Sequence, residues 1–191
     1  MLKSHIEYIL AKQKAKVLPP KVEIVCVDDG SKDKTWQIIC EWSKKYPECK
    51  EGVVVRGLRQ KINAGKGAAV KYGSLFSRGE YILMVDADGA TDVKEIEKVY
   101  KIVSDVSKKS GKGLGITIGS RNAGQENVER KGIRKLLNTC MHMLVHFVLG
   151  FAYQDTQCGF KIFSRDAAKR IFPTQHLERW AFDVELLYLA R

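Results

Sequence analysis

Two hydrophobic periods alternate along this chain, and that alternation limits its fold more than any other feature. Residues 22–28 (Val-Glu-Ile-Val-Cys-Val-Asp) are a β-branched run that stops at Asp28-Asp29-Gly30, the pattern of a buried strand. Residues 34–46 then place Trp36, Ile38, Ile39, Trp42 and Tyr46 near helical spacing. Residues 53–56 read as a second strand, 66–77 as an Ala- and Gly-rich helix and 80–85 as a third strand. An amphipathic helix follows over 92–107 (Val93, Ile96, Val99, Tyr100, Val103), then a fourth strand over 114–119. This β-α-β-α order predicts an α/β fold, a Rossmann-like, mostly parallel sheet flanked by helices.

Composition narrows the class. The chain has 191 residues, of which 45% are apolar and 29% charged, a globular balance with enough length for a core. It contains no run of about 18 uncharged apolar residues of the kind that spans a bilayer. The first 16 residues lack the apolar stretch and small residues of a secretory signal. Five cysteines (26, 40, 49, 140 and 158) form no Cys-x-x-Cys pair, which suits reduced thiols facing the cytosol. Lys and Arg number 33 against 22 Asp and Glu, a net charge of +11. Such a charge predicts an anionic partner: nucleic acid, a phosphorylated small molecule or an anionic lipid surface.

The pattern changes after residue 129. Residues 130–135 (Arg-Lys-Gly-Ile-Arg-Lys) are basic, and residues 136–152 are uncharged and apolar nearly all round. That stretch suits a helix lying on a membrane with its basic end among phosphates, and equally a buried core helix. Residues 156–163 read as a loop and short strand, and 181–190 begin a further helix. Residues 1–14 read as a helix with no strand before it, and Arg191 falls inside a periodic helix without a stop signal. The expectation is one partial domain over 1–191, lacking its first strand.

Several motifs carry chemistry. Asp28-Asp29-Gly30-Ser31 ends the first strand, and ligands of open α/β sheets gather at strand carboxyl ends. Two acids there can accept hydrogen bonds from a base or a ribose; a turn with Ser31 or Asp33 as helix cap is the alternative. Asp86-Ala87-Asp88 ends the third strand and can aim two hard oxygen ligands at one divalent cation; the alternative is an acidic turn with Thr91 or Asp92 capping. Lys66, in Asn63-Ala64-Gly65-Lys66-Gly67, opens a small-residue helix where a diphosphate can sit, although taken alone the motif favours a Gly-rich turn with an exposed Lys. The loop is not a Walker motif, because Gly67 stands where Ser or Thr is needed. Arg121 follows the fourth strand and has the fork geometry for phosphate, or is an ordinary solvated Arg. Arg134 and Lys135 head the apolar stretch. His142 and His146 are four apart, but no Glu follows His142 and no third ligand stands out, so a plain helix face is preferred. Cys158 has no His near it in sequence to activate it as a nucleophile.

Taken in order, Val-Asp-Asp-Gly-Ser-Lys-Asp-Lys-Thr, Asn-Ala-Gly-Lys-Gly-Ala-Ala-Val, Met-Val-Asp-Ala-Asp-Gly-Ala-Thr, Gly-Ser-Arg, Asp-Thr-Gln-Cys-Gly-Phe-Lys and Glu-Arg-Trp-Ala-Phe-Asp-Val-Glu resemble the family 2 glycosyltransferases of GT-A fold. The likeness runs from about Val17 to Arg191, and the last two motifs are the ones specific to the branch acting on dolichyl phosphate, nearest its glucosyl members. The resemblance implies transfer of glucose from UDP-glucose to dolichyl phosphate, with inversion, at the cytosolic face of the endoplasmic reticulum membrane, for protein N-glycosylation. It implies that Asp28 and Asp29 bind uridine, that Lys66 serves the donor site, and that Asp86 and Asp88 hold Mg²⁺ or Mn²⁺. It implies that Arg121 and Arg134, with Lys135 and Asn138, receive the acceptor phosphate, and that Asp155 lies beneath the sugar. Asp88, Asp155 and Arg121 are then the residues expected at the reacting centre.

Two other readings stand beside this one. One is a dolichyl-phosphate mannosyltransferase-like enzyme using GDP-mannose; the other is a catalytically inactive truncated isoform that binds a membrane or partner. A nucleic-acid partner is not expected, since no such motif occurs and the acidic strand ends would repel a phosphate backbone.

Overall fold

The computed structural model describes residues 2–47, 52–88, 92–119 and 158–191. Helix α1 (Leu2–Lys14) leads into strand β1 (Val22–Asp29), helix α2 (Thr35–Lys45), strand β2 (Val53–Gln60), helix α3 (Lys66–Phe76) and strand β3 (Tyr81–Val85). A 3₁₀ turn (Val93–Glu95) runs into helix α4 (Ile96–Lys109), followed by β4 (Ile116–Ile118). Strand β5 (Phe160–Ser164) feeds directly into helix α5 (Arg165–Thr174), and helix α6 (Phe182–Leu189) follows.

Local chemistry accounts for these boundaries. Asp92 accepts a hydrogen bond from Lys94 N at 3.0 Å, so it caps the turn before α4, while Lys108 and Lys109 face the negative end of that helix. Asp33 accepts from Thr35 N at 3.0 Å at the start of α2. Ser164 caps α5 by accepting from Ala167 N. Helix α5 is absent from the sequence-based expectation: Pro173 in its last turn breaks the apolar period, and the cap Ser164 with Asp166 in the first turn is the signal that marks it.

Strands β1 and β2 pair in parallel, from Val22↔Val53 to Asp29↔Gln60, as the alternation predicts. A second sheet has the order β3-β5-β4. Here β5 runs antiparallel to both neighbours, with Val85 opposite Phe160 and Ile118 opposite Lys161. Alternation cannot orient β5, because residues 120–157 that lead to it do not read as one simple crossover helix.

Helix α3 packs on both β1 and β3, and α4 spans the same division. Ile96 and Tyr100 of α4 pack against Val53 and Val55 on one side, and against Phe160 and Ile162 on the other. Helix α1 buries Ile6 and Ile9 against Val53 and Val55. The third cluster holds Ile82, Met84, Phe163, Ile171, Phe172, Phe182 and Leu186, with Phe163 and Phe172 edge to face at 5.1 Å. Each such fully buried Phe contributes roughly 1.5–3 kcal/mol. Glu23 fastens β1 to its surroundings through Arg56 Nη1 at 2.7 Å, Arg78 Nε at 3.0 Å and the Arg78 backbone N–H at 2.7 Å. Burial alone would push this carboxyl up, but those hydrogen bonds outweigh it and hold Glu23 below the ordinary glutamate value.

Among the described residues no helix is long and apolar enough to cross a membrane. The basic and apolar stretch at 130–152 lies outside the described residues.

Candidate active site

Both acidic strand ends sit where their sheets finish, and the loop before α3 lies between them. Asp28 closes β1 fully buried. Its Oδ1 accepts from Ser31 N at 2.9 Å, and its Oδ2 lies 3.1 Å from Arg59 Nε without hydrogen-bond alignment. Asp29 turns the other way. Its two oxygens accept from Ala64 N and Gly65 N, each at 2.8 Å, and Asn63 Nδ2 donates to its carbonyl at 3.1 Å. Asp29 therefore staples the end of β1 to the loop that opens α3. Gly65 has φ +108, a backbone region that L side chains rarely adopt, and this brings Lys66 to the first helical position.

Lys66 Nζ meets Asp86 Oδ2 at 2.7 Å, at the end of β3. The same ammonium stands 5.9 Å from the ring centre of Phe182 at the start of α6. Asp88 lies two residues beyond Asp86, exposed in the following turn. So Asp29 holds the loop that carries Lys66, Lys66 reaches Asp86, and Asp28 and Asp88 flank this set in sequence.

Beneath Asp86 runs the segment entering β5. Asp86 N donates to Gly159 O at 3.1 Å, and a Cβ at residue 159 would overlap the Asp86 carboxylate. Behind Gly159, Lys161 is fully buried, donating to Cys158 O at 2.6 Å and to Asp183 Oδ1. The segment 175–181 is fixed as tightly. Gln175 Nε2 donates to Gly67 O at 2.9 Å, Ala68 N to Glu178 O at 2.9 Å, and His176 N and Leu177 N to the Glu185 carboxylate at 2.7 Å each. Trp180 is left 88% exposed beside this region.

The sequence-based expectation contained Asp28, Asp29, Lys66, Asp86 and Asp88 but not Arg59, Gly159, Lys161 or Asp183. One signal was present: Lys161 interrupts Phe160-Lys161-Ile162-Phe163, and a Lys inside an apolar strand needs a buried partner. Arg121, Arg134, Lys135, Asn138 and Asp155 lie outside the described residues, as do His142 and His146. Cys26, Cys40 and Cys158 are not in disulfides. Burial pushes the Cys26 thiol up, away from the reactive thiolate.

The donor set fits a hard divalent cation. Asp86 Oδ2 already holds a cation, the Lys66 ammonium, and Asp88 adds a second carboxylate nearby in sequence. Among the described residues there is no cluster of three or more His, Cys, Asp or Glu able to hold a metal alone. Mg²⁺ and Mn²⁺ suit such a site, where one or two carboxylates share the ion with substrate phosphates and water.

The family model for glycosyl transferase family 2 matches residues 4–172. The chain is 44% identical over 194 aligned positions to a dolichyl-phosphate beta-glucosyltransferase of Dictyostelium discoideum, covering 100% of this chain and 57% of that protein. It is 44% identical over 171 positions to the human protein of the same name, covering 88% of this chain and 51% of the relative. The Saccharomyces cerevisiae protein of that name is 40% identical over 182 positions, with 88% and 52% covered. The chain thus spans about half the length of the curated relatives it matches.

Proposed function

The chain belongs to glycosyl transferase family 2, and from that premise we propose that it moves glucose from UDP-glucose to dolichyl phosphate. The reaction inverts the anomeric centre and takes place at the cytosolic face of the endoplasmic reticulum membrane. The supporting observation is the Lys66–Asp86 contact at 2.7 Å, fastened to the other acidic strand end through Asp29. Charges of both signs at one crevice suit a diphosphate with its counter-ion. The names of the relatives supply the acceptor and the sugar.

Each residue has a task in this reading. Asp28 Oδ2 is a buried carboxylate oxygen without an aligned donor among the described residues, and the uracil imide N–H supplies one. Asp29 holds the 63–65 loop so that Lys66 faces a diphosphate oxygen. Asp86 and Asp88 hold Mg²⁺ or Mn²⁺, which when bound offsets the charge gathering on the departing UDP. The acceptor is a phosphate monoester with a second pKa of about 6. It is ionised at neutral pH and needs no strong base from the protein, so alignment and charge stabilisation carry the rate. In this reading Arg121, Arg134, Lys135 and Asn138 would receive that phosphate and offset its repulsion from the Asp cluster, Asp155 would serve the sugar, and the apolar stretch 136–152 would guide the lipid.

The test is a transfer assay with the chain presented on vesicles containing dolichyl phosphate, Mn²⁺ and either labelled UDP-glucose or labelled GDP-mannose. Label should enter the lipid fraction from UDP-glucose and require the metal. Transfer from GDP-mannose alone would make the chain a mannosyl enzyme. A folded, vesicle-bound chain that transfers neither sugar would refute the enzymatic reading.

A further inference from the structure

Lys161 has no direct place in the chemistry above, yet it is completely buried. Its ammonium has two bonded partners. One is Cys158 O at 2.6 Å, the carbonyl immediately before Gly159. The other is Asp183, in the first turn of α6. Each leads to one member of the exposed pair at the crevice. Through Cys158 the contact fixes the Gly159 peptide, whose carbonyl accepts from Asp86 N and whose missing side chain leaves room for the Asp86 carboxylate. Through Asp183 it fixes the start of α6, where the adjacent Phe182 ring lies under Lys66. Asp86 follows β3 and Lys66 opens α3, and both are referenced to this one buried cation.

The arrangement is costly if it serves packing alone. A buried ion pair is often no better for stability than apolar groups of the same volume, whereas removing one partner is strongly destabilising. An apolar residue at 161 would match Phe160, Ile162 and Phe163 on either side. What an apolar side chain cannot do is hold a carbonyl and a carboxylate at fixed positions in two elements at once.

We propose that Lys161, held by Asp183, is a positioning residue for the donor site: it sets the Gly159 turn and the α6 start so that Asp86 and Lys66 meet the metal and diphosphate in the correct geometry. This rests on the reading of Asp86 as a metal ligand. Groups that orient a metal ligand from behind typically change metal affinity by 10–100-fold when replaced.

The experiment compares the wild-type chain with Lys161→Met, and with Lys161→Met/Asp183→Leu, in which both charges are removed. Removing both partners leaves no uncompensated buried charge, so the double variant folds even where the single one does not. Mn²⁺ binding is read by electron paramagnetic resonance with and without UDP, and kcat and KM are measured for each substrate. The proposal expects a folded double variant whose Mn²⁺ dissociation constant rises roughly tenfold or more, with kcat lowered and the KM for dolichyl phosphate unchanged. A folded double variant that binds Mn²⁺ and UDP as the wild type does would overturn it. A wild type that binds Mn²⁺ and UDP but transfers no sugar would instead count against the glucosyltransferase reading, and the binding comparison would still decide the role of Lys161.

Discussion

Lys66 and Asp86 are about 42% and 24% exposed, and a pair so wet contributes only about 0.2–1 kcal/mol. In the proposed function it is weak enough for a divalent cation to displace, which would free Lys66 for the diphosphate. Two opposite effects follow for Lys66→Met. Mn²⁺ alone should bind about two- to fivefold more tightly, because the competing ammonium is gone. UDP in the presence of Mn²⁺ should bind roughly tenfold more weakly, because a charged hydrogen bond is lost. Calorimetry reads both; shifts of the same sign would show that Lys66 does not exchange between the two. At this scale the sequence was informative wherever a residue type announces its chemistry. Asp28, Asp29, Lys66, Asp86 and Asp88 stand out as charged groups at strand and helix ends. Gly159 and Lys161 do not, because their meaning depends on what lies opposite. The partner of Gly159 is Asp86, 73 positions away, and that of Lys161 is Asp183, 22 away. Even Asp29, visible from the start, has both carboxylate oxygens occupied by the α3 loop, a duty no local pattern reveals.

At the scale of elements, period and turn chemistry made β1, β2, β3, α2, α3 and α4 legible with boundaries shifted by only a few residues. Helix α5 was hidden by its Pro173, and the reversed direction of β5 by the unreadable path into it. The joint between β1, β2 and the entry to β3 depends on Glu23 and its two arginines, which alternation also does not disclose. Glu23→Gln should destabilise the fold by about 1–2 kcal/mol at pH 7, since the hydrogen bonds to Arg56 and Arg78 lose their charge assistance. Because folding lowers this carboxyl's pKa, its ionisation stabilises fully above the unfolded-state glutamate value. That contribution is lost as the pH falls from there through the lower folded-state value. Urea titrations at pH 7 and near pH 3 should therefore show the wild type and variant converging in acid. A gap that stays constant would mean that packing, not charge, holds this joint.

Across the whole molecule, the net charge of +11 first pointed to any anion. In the proposed donor site Lys66 and Arg59 stand beside four acids, which accounts for little of that positive charge. The basic run at 130–135 is where the account puts the acceptor phosphate. Arg134→Ala should raise the KM for dolichyl phosphate roughly tenfold through loss of a charge-assisted hydrogen bond, leaving UDP affinity unchanged. Weakened UDP binding with unaltered acceptor kinetics would place Arg134 on the donor side. The central claim is that two acidic strand ends and one lysine form a single site for a nucleotide diphosphate with its metal. The most direct measurement is UDP binding with and without Mn²⁺, in the wild type and in Asp86→Asn. Mn²⁺ should tighten UDP binding by tenfold or more in the wild type and by little in the variant. An equal enhancement in both proteins would show that Asp86 has no part in such a site.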